Sequence, residues 1–193
     1  MALSNGFKKI KTAVFISGTG SNLRSLIKFS KLKKSPISID LIISDNANAK
    51  GLNYANIYKI KKKVFDFKQE SSSEKKILSE LKKYRIDLIC LAGFMKILSK
   101  QFIKNYDGKI LNIHPSLLPK YKGLNTHERS IKNNDRYSGC TVHLVNSKLD
   151  SGKIINQKKV KINKKDTVKT LAKKILIQEH KLYPEAILKV FNL

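Results

Sequence analysis

Asn112 and His114 offer the plainest chemistry in the sequence. They lie in KILNIH, which Pro115 ends, with a second proline at Pro119. Side chains two apart on a strand share a face, so the amide and the imidazole point one way while Ile113 points into a core. Proline lacks a backbone donor and stops a strand, which leaves the pair at the strand's C-terminal end. Open α/β sheets bind ligands at that end. Asp150, which opens the turn-like DSG after TVHLV, is the acid that could join them. A carboxylate favours the charged form of a neighbouring imidazole, which suits proton donation near neutral pH, and Asn112 could donate to an oxyanion.

A second candidate is SGTGSN, residues 17–22. Gly18 and Gly20 let the backbone turn tightly, and free N–H groups at the start of a helix can hold a phosphate. The third glycine of GxGxxG is replaced by Leu23 and no GK[ST] follows, so neither a dinucleotide nor a nucleoside triphosphate is indicated. A single phosphate monoester fits better; a tight turn that binds nothing is the plainer alternative. His143 and His180 read as core or surface residues, and His127, on a short helix after Leu124, stands between the two classes. No serine sits in GxSxG, no cysteine has a nucleophile's setting and there is no HExxH, so neither covalent nor metal chemistry is suggested.

The elements that must position these residues follow from periodicity. Strands are expected at 12–17, 37–44, 64–67, 87–92 and 109–113. Between them fall helices at 21–30, 52–58, 71–84 (with a serine cap, and Ile77, Leu78 and Leu81 on one face) and 97–105. Alternating strands and helices predict βαβ units and a parallel sheet. A helix at 126–133 then leads to two alternating strands, 141–145 and 154–160, read as antiparallel additions at a sheet edge. From Asp166 a long helix is expected, apolar at Val168, Leu171, Ala172, Ile175 and Leu176 and kinked before Pro184. The fold class is α/β: an open, mostly parallel, twisted, Rossmann-like sheet with antiparallel edge strands and a long C-terminal helix.

A chain of 193 residues reads as one domain, 1–193. The basic flank MALSNGFKK precedes too short an apolar run for a signal peptide, and no window reaches membrane-span length. Cys90 and Cys140, isolated in apolar runs, fit reduced thiols in a cytoplasmic protein. The net charge of +26 invites a nucleic-acid partner, but its lysines are spread along the whole chain. They form a solvated coat that attracts anionic small molecules, with no specific nucleic acid and no membrane implied.

ISGTGSNLRSLI, ISDNANAKGL, LAGFMKILS, ILNIHPSLLPKYKG, GCTVHLV and QEHKLYPEA together resemble the phosphoribosylglycinamide formyltransferases, in order and over nearly the whole chain. HPSLLP is similar in every 10-formyltetrahydrofolate transferase and hydrolase; SGTGSN and QEH narrow the match. The resemblance implies formyl transfer from 10-formyltetrahydrofolate, a co-substrate, to the amine of glycinamide ribonucleotide in purine biosynthesis, without metal. It makes Asn112, His114 and Asp150 the catalytic set, places Gly20, Ser21 and Asn22 on the substrate phosphate, and sets Glu179 on the ribose. The folate falls to Met95, Lys96, Ile97 and Leu98 with the loop 145–150. A basic residue that the family often sets against the folate falls at Glu74 or Lys75, and the oligomeric state is left open. The related methionyl-tRNA transferase and formyl-folate hydrolase carry extra domains, for which this length leaves no room.

Overall fold

The computed structural model describes residues 8–67 and 70–193, so the first seven residues of the basic flank lie outside it. Seven strands form one sheet in the order β3-β2-β1-β4-β5-β6-β7. They are β1 (Ile10–Ile16), β2 (Ile37–Ser44), β3 (Lys61–Val64), β4 (Leu88–Leu91), β5 (Lys109–His114), β6 (Tyr137–Leu144) and β7 (Ile154–Lys161). β1 to β5 pair in parallel; β6 lies antiparallel on β5 and β7 antiparallel on β6. This is the mostly parallel sheet with antiparallel edge strands that the periodicity predicts.

Alternation along the central strands feeds two apolar layers. In β1, Val14 and Ile16 pack beneath α1 (Ser21–Ser30) and α6 (Val168–Val190), against Leu23, Leu26, Leu171 and Ile175. Ala13 and Phe15 point the other way, to Ile77 and Leu81 of α3 (Glu70–Tyr84) and Phe102 of α4 (Lys100–Asn105). Two short helices complete the set, α2 (Asn53–Tyr58) and α5 (Thr126–Lys132). Among the described residues no helix is long and apolar enough to cross a membrane. Burial pushes the thiols of Cys90 and Cys140 up to about 12, which leaves both unreactive.

Several boundaries differ from the sequence reading. The third strand is Lys61–Val64 rather than 64–67; only the bond from Phe65 N to Ser44 O (2.9 Å) carries the pairing further. Its lysines give no apolar signal, yet lysine suits an edge strand because it discourages pairing with another chain. The opposite edge, β7, likewise carries Lys158, Lys159 and Lys161. α3 begins at Glu70, so the serines expected to cap it lie in its first turn, where Ser73 Oγ donates to Asp66 O. α4 begins at Lys100 rather than Ile97, because Ser99 is its N-cap and accepts from Phe102 N at 3.0 Å.

In α6, Val168 is exposed, whereas Leu171 and Ile175 are buried as expected. The helix is assigned continuously through Pro184. That proline has no N–H for the carbonyl four residues earlier, that of His180, and Ser25 Oγ donates to it instead at 2.9 Å. The same bond fastens α1 to α6 and brings QEH beside SGTGSN.

Candidate active site

The chain runs outward from β1 to β3 and returns to β4 on the other side of β1, so the strand order reverses between β1 and β4. Loops leaving the two strands diverge there and open a crevice at their C-terminal ends. They are stitched at the base: Ser17 N donates to Gly93 O (3.1 Å) and Met95 N to Ser17 Oγ (2.8 Å). A cavity of about 900 Å³ lies over the ends of β4 and β5, and a smaller one of about 300 Å³ lies over SGTGSN. Asn22, Gly93, Met95 and Glu179 line both, so molecules in the two spaces would meet.

Asn112, His114 and Asp150 converge on the larger cavity, as the sequence predicts. Asp150 has a left-handed backbone, φ 45°, and sits between two imidazoles. Its Oδ2 lies 3.4 Å from His114 Nδ1 and accepts from Gly123 N at 2.9 Å; its Oδ1 lies 3.6 Å from His143 Nε2. Burial pushes the carboxyl up, but the two neighbouring imidazoles and the Gly123 N–H outweigh it, and Asp150 ends below its ordinary value.

For His114 the balance goes the other way. Burial pulls its pKa down, the Tyr121 carbonyl and Asp150 push it up, and burial prevails. A carbonyl only accepts, so the 2.9 Å contact to Tyr121 O puts a proton on Nε2. The 3.4 Å gap from Nδ1 to Asp150 exceeds a charge-assisted bond of roughly 2.7–2.9 Å, which suits a resting ring with no proton at Nδ1. Asp150 is thus the carboxylate that favours the charged ring, as expected from sequence, and burial is what opposes it.

His143 is the member that sequence reasoning missed. It is buried, and Asn112 is its partner across the β5–β6 ladder. The Leu144 carbonyl, 2.8 Å from Nδ1, puts the proton of a neutral ring there and leaves a lone pair at Nε2. Nε2 then accepts from Asn112 Nδ2 at 3.2 Å, which fixes the amide with its nitrogen inward. The second amide hydrogen reaches Asp150 Oδ1 only at 3.5 Å, weakly enough to be surrendered to a more negative oxygen. The available signal was the alternation in TVHLV, which puts His143 on one face but does not say which strand it meets. His127 also lines the cavity; its Nδ1 is buried without a partner, and burial and the charge of His114 lower its pKa.

At the glycine turn, Gly20 is the N-cap of α1 with φ 74°, and no side chain caps the helix. Its first-turn N–H groups have no intrahelical partner. Ser21 lines the smaller cavity with Gly18 and Gly20. The Asn22 side chain reaches across to α6: Nδ2 donates to Glu179 Oε2 at 2.6 Å, and its buried Oδ1 has no partner. Burial raises the Glu179 pKa although Asn22 acts against it. An unpartnered acceptor beside a carboxylate suits hydroxyl groups.

Met95, Lys96, Ile97 and Leu98 all line the larger cavity. Met95 and Ile97 are 66% and 64% exposed, and Leu124 and Leu149, also exposed, line the same cavity. Neither Glu74 nor Lys75 lines it. Glu74 is buried and accepts from Ser99 N (2.7 Å) and Ser99 Oγ (2.5 Å), so it anchors the end of the 93–98 wall; Lys75 is exposed.

The formyl transferase family model matches residues 10–187. The phosphoribosylglycinamide formyltransferase of Haemophilus influenzae is 42% identical over 92% of this chain and 85% of its own length. The chain belongs to this family. The phosphoribosylglycinamide formyltransferase structure from Brucella melitensis superposes with a TM-score of 0.89 at 44% identity, covering 95% of this chain and 96% of that one. The human trifunctional purine biosynthetic protein adenosine-3 is 42% identical over 96% of this chain, which spans only 19% of that protein. The family's fold is thus that of the seven-stranded sheet described above.

Proposed function

We propose that the chain, acting as a single domain, transfers the formyl group of 10-formyltetrahydrofolate to the amine of glycinamide ribonucleotide. The observation that carries this reading is the meeting of two cavities at Asn22, Gly93, Met95 and Glu179, with Asn112, His114 and Asp150 on the wall of the larger. The apolar rim of Met95, Ile97, Leu124 and Leu149 suits the flat pterin. The glycine turn suits the phosphate, and Glu179 with Asn22 Oδ1 suits the ribose hydroxyls. On this reading the partners are two small molecules in the cytoplasm, with no nucleic acid, membrane or metal required.

The chemistry follows from the hydrogen-bond polarity. The amine attacks the formyl carbon, a C–N bond forms, and the carbonyl oxygen becomes an oxyanion. The weakly held hydrogen of Asn112 Nδ2 turns to that oxygen. The attacking nitrogen becomes positive and loses its proton to the vacant Nδ1 of His114, whose new charge Asp150 stabilises. The proton then passes to N10 of the folate as the bond from the formyl carbon to N10 breaks, and the carbonyl re-forms. His114 starts and ends neutral, in keeping with its lowered pKa. Mixing the protein with both substrates and following the folate product by absorbance tests the reading: product must require the ribonucleotide, and its absence with both present would reject the assignment.

A further inference from the structure

Residues 120–125 form a strap over the site that touches both catalytic groups. It offers an acceptor to one, from Tyr121 O to His114 Nε2, and a donor to the other, from Gly123 N to Asp150 Oδ2, each at 2.9 Å. Its backbone is unusual: Tyr121, Gly123 and Asn125 are left-handed, with φ of 58°, 76° and 57°. A left-handed residue other than glycine costs about 1–2 kcal/mol, so this path needs holding from outside.

Arg129, on the exposed side of α5, reaches back over the strap. Its Nη1 donates to Lys122 O at 2.7 Å and to Leu124 O at 3.4 Å, and its guanidinium lies 4.9 Å from the centroid of the Tyr121 ring. The two gripped carbonyls flank Gly123. Asn133 Nδ2 holds the Tyr121 hydroxyl at 2.7 Å, and Ser116 Oγ donates to Lys120 O at 2.7 Å. We propose that Arg129 is a positioning residue, whose grip on the carbonyls of Lys122 and Leu124 keeps the Tyr121 carbonyl on His114 and the Gly123 N–H on Asp150. The proposal rests on the catalytic reading above only for its effect on rate.

The alternative role for Arg129 is that of a charge. The groups that face His114 are Asp150 and the Tyr121 carbonyl, which favour its charged form, and His143 and Arg129, which oppose it; His127 stands across from it on α5. Arg129 is the smallest of these influences and the Tyr121 carbonyl is second only to burial. The two roles therefore predict opposite signs. Loss of the grip frees the carbonyl and lowers the His114 pKa, whereas loss of a charge alone raises it.

The test is an NMR titration of the imidazoles in the full chain, with the His114 signal assigned by its loss in His114→Gln. We expect the His114 midpoint to fall in Arg129→Ala and to fall by less in Arg129→Lys, which keeps the charge and can hold one carbonyl. Lys132→Ala, on the exposed face of the same helix, should match the wild type. In turnover, Arg129→Ala should lose about tenfold in kcat, the scale of a slightly misplaced catalytic pair, with KM for the ribonucleotide unchanged. A midpoint that rises or stays fixed in Arg129→Ala would overturn the proposal. The titration needs no substrate, so a wrong assignment of the reaction would leave its result standing and remove only the turnover effect.

Discussion

A pair of glycine substitutions separates binding from folding at SGTGSN. A Cβ on Gly18 would meet no protein atom within 4 Å, and Gly18 lines the smaller cavity. The fold therefore does not need glycine there, whereas a phosphate drawn against the backbone does. A phosphate held by backbone N–H groups gains roughly 1.5–3 kcal/mol from each charge-assisted bond. Gly18→Ala should weaken about one of them, raising KM for glycinamide ribonucleotide by roughly 10- to 150-fold. KM for the folate and the melting temperature should stay near wild type. Gly20 is the opposite case, with φ 74° and a would-be Cβ only 2.7 Å from Gly51 Cα. Gly20→Ala adds left-handed strain of about 1–2 kcal/mol to a backbone clash, roughly 2–4 kcal/mol in all, or about 5–15 °C in melting temperature at this size. Steady-state kinetics and thermal melts on both variants decide. A Gly18→Ala enzyme with unchanged KM for the ribonucleotide would return SGTGSN to a turn that holds nothing.

The catalytic set makes further demands. His114→Ala should lower kcat by about 10²-fold or more with much smaller changes in substrate affinity, as measured by initial rates; turnover close to wild type would remove His114 from the mechanism. Asp150→Asn keeps the shape but loses the charge that stabilises protonated His114, so we expect a comparable loss of kcat and a shifted pH profile; an unshifted profile would show that Asp150 does not tune the ring. Stability should also depend on pH. Burial holds His114, His127 and His180 below their ordinary value of 6.5, so the unfolded chain binds more protons than the folded one as pH falls. Their contribution is complete above that value and is lost on acidification below it, and Asp150, itself lowered, adds a further loss below its ordinary 3.8. Melting temperatures measured from neutral pH downward should fall; a rise between pH 7 and 5 would contradict the assignment.

Much of this site was legible because it depends on local chain geometry. Asn112 and His114 are placed by a period of two and a terminating proline, and the turn at 17–22 by its glycines. What escaped depends on pairing between distant segments. His143 acquires its role only when β6 runs antiparallel to β5 and sets it opposite Asn112. The strand at Lys61–Val64 is polar because it is an edge, so the apolar residues after it drew the prediction too far along the chain. Ile97 and Leu98 suggested a longer helix because they are apolar, but they line a cavity. Met95 to Leu98 were singled out only through the family resemblance, and they line the larger cavity. The orientation of the Asn22 side chain toward Glu179 spans 157 residues and left no local trace.

The most direct test of the account follows the carbon itself. Incubate the protein with 10-formyltetrahydrofolate labelled at the formyl carbon, together with glycinamide ribonucleotide, and separate the products. The account predicts that the label moves to the ribonucleotide amine, one for each folate released, and that no label is released when the ribonucleotide is omitted. Label recovered as free formate, at a rate indifferent to the ribonucleotide, would mean that the site hydrolyses its folate and that the amine acceptor has been assigned wrongly.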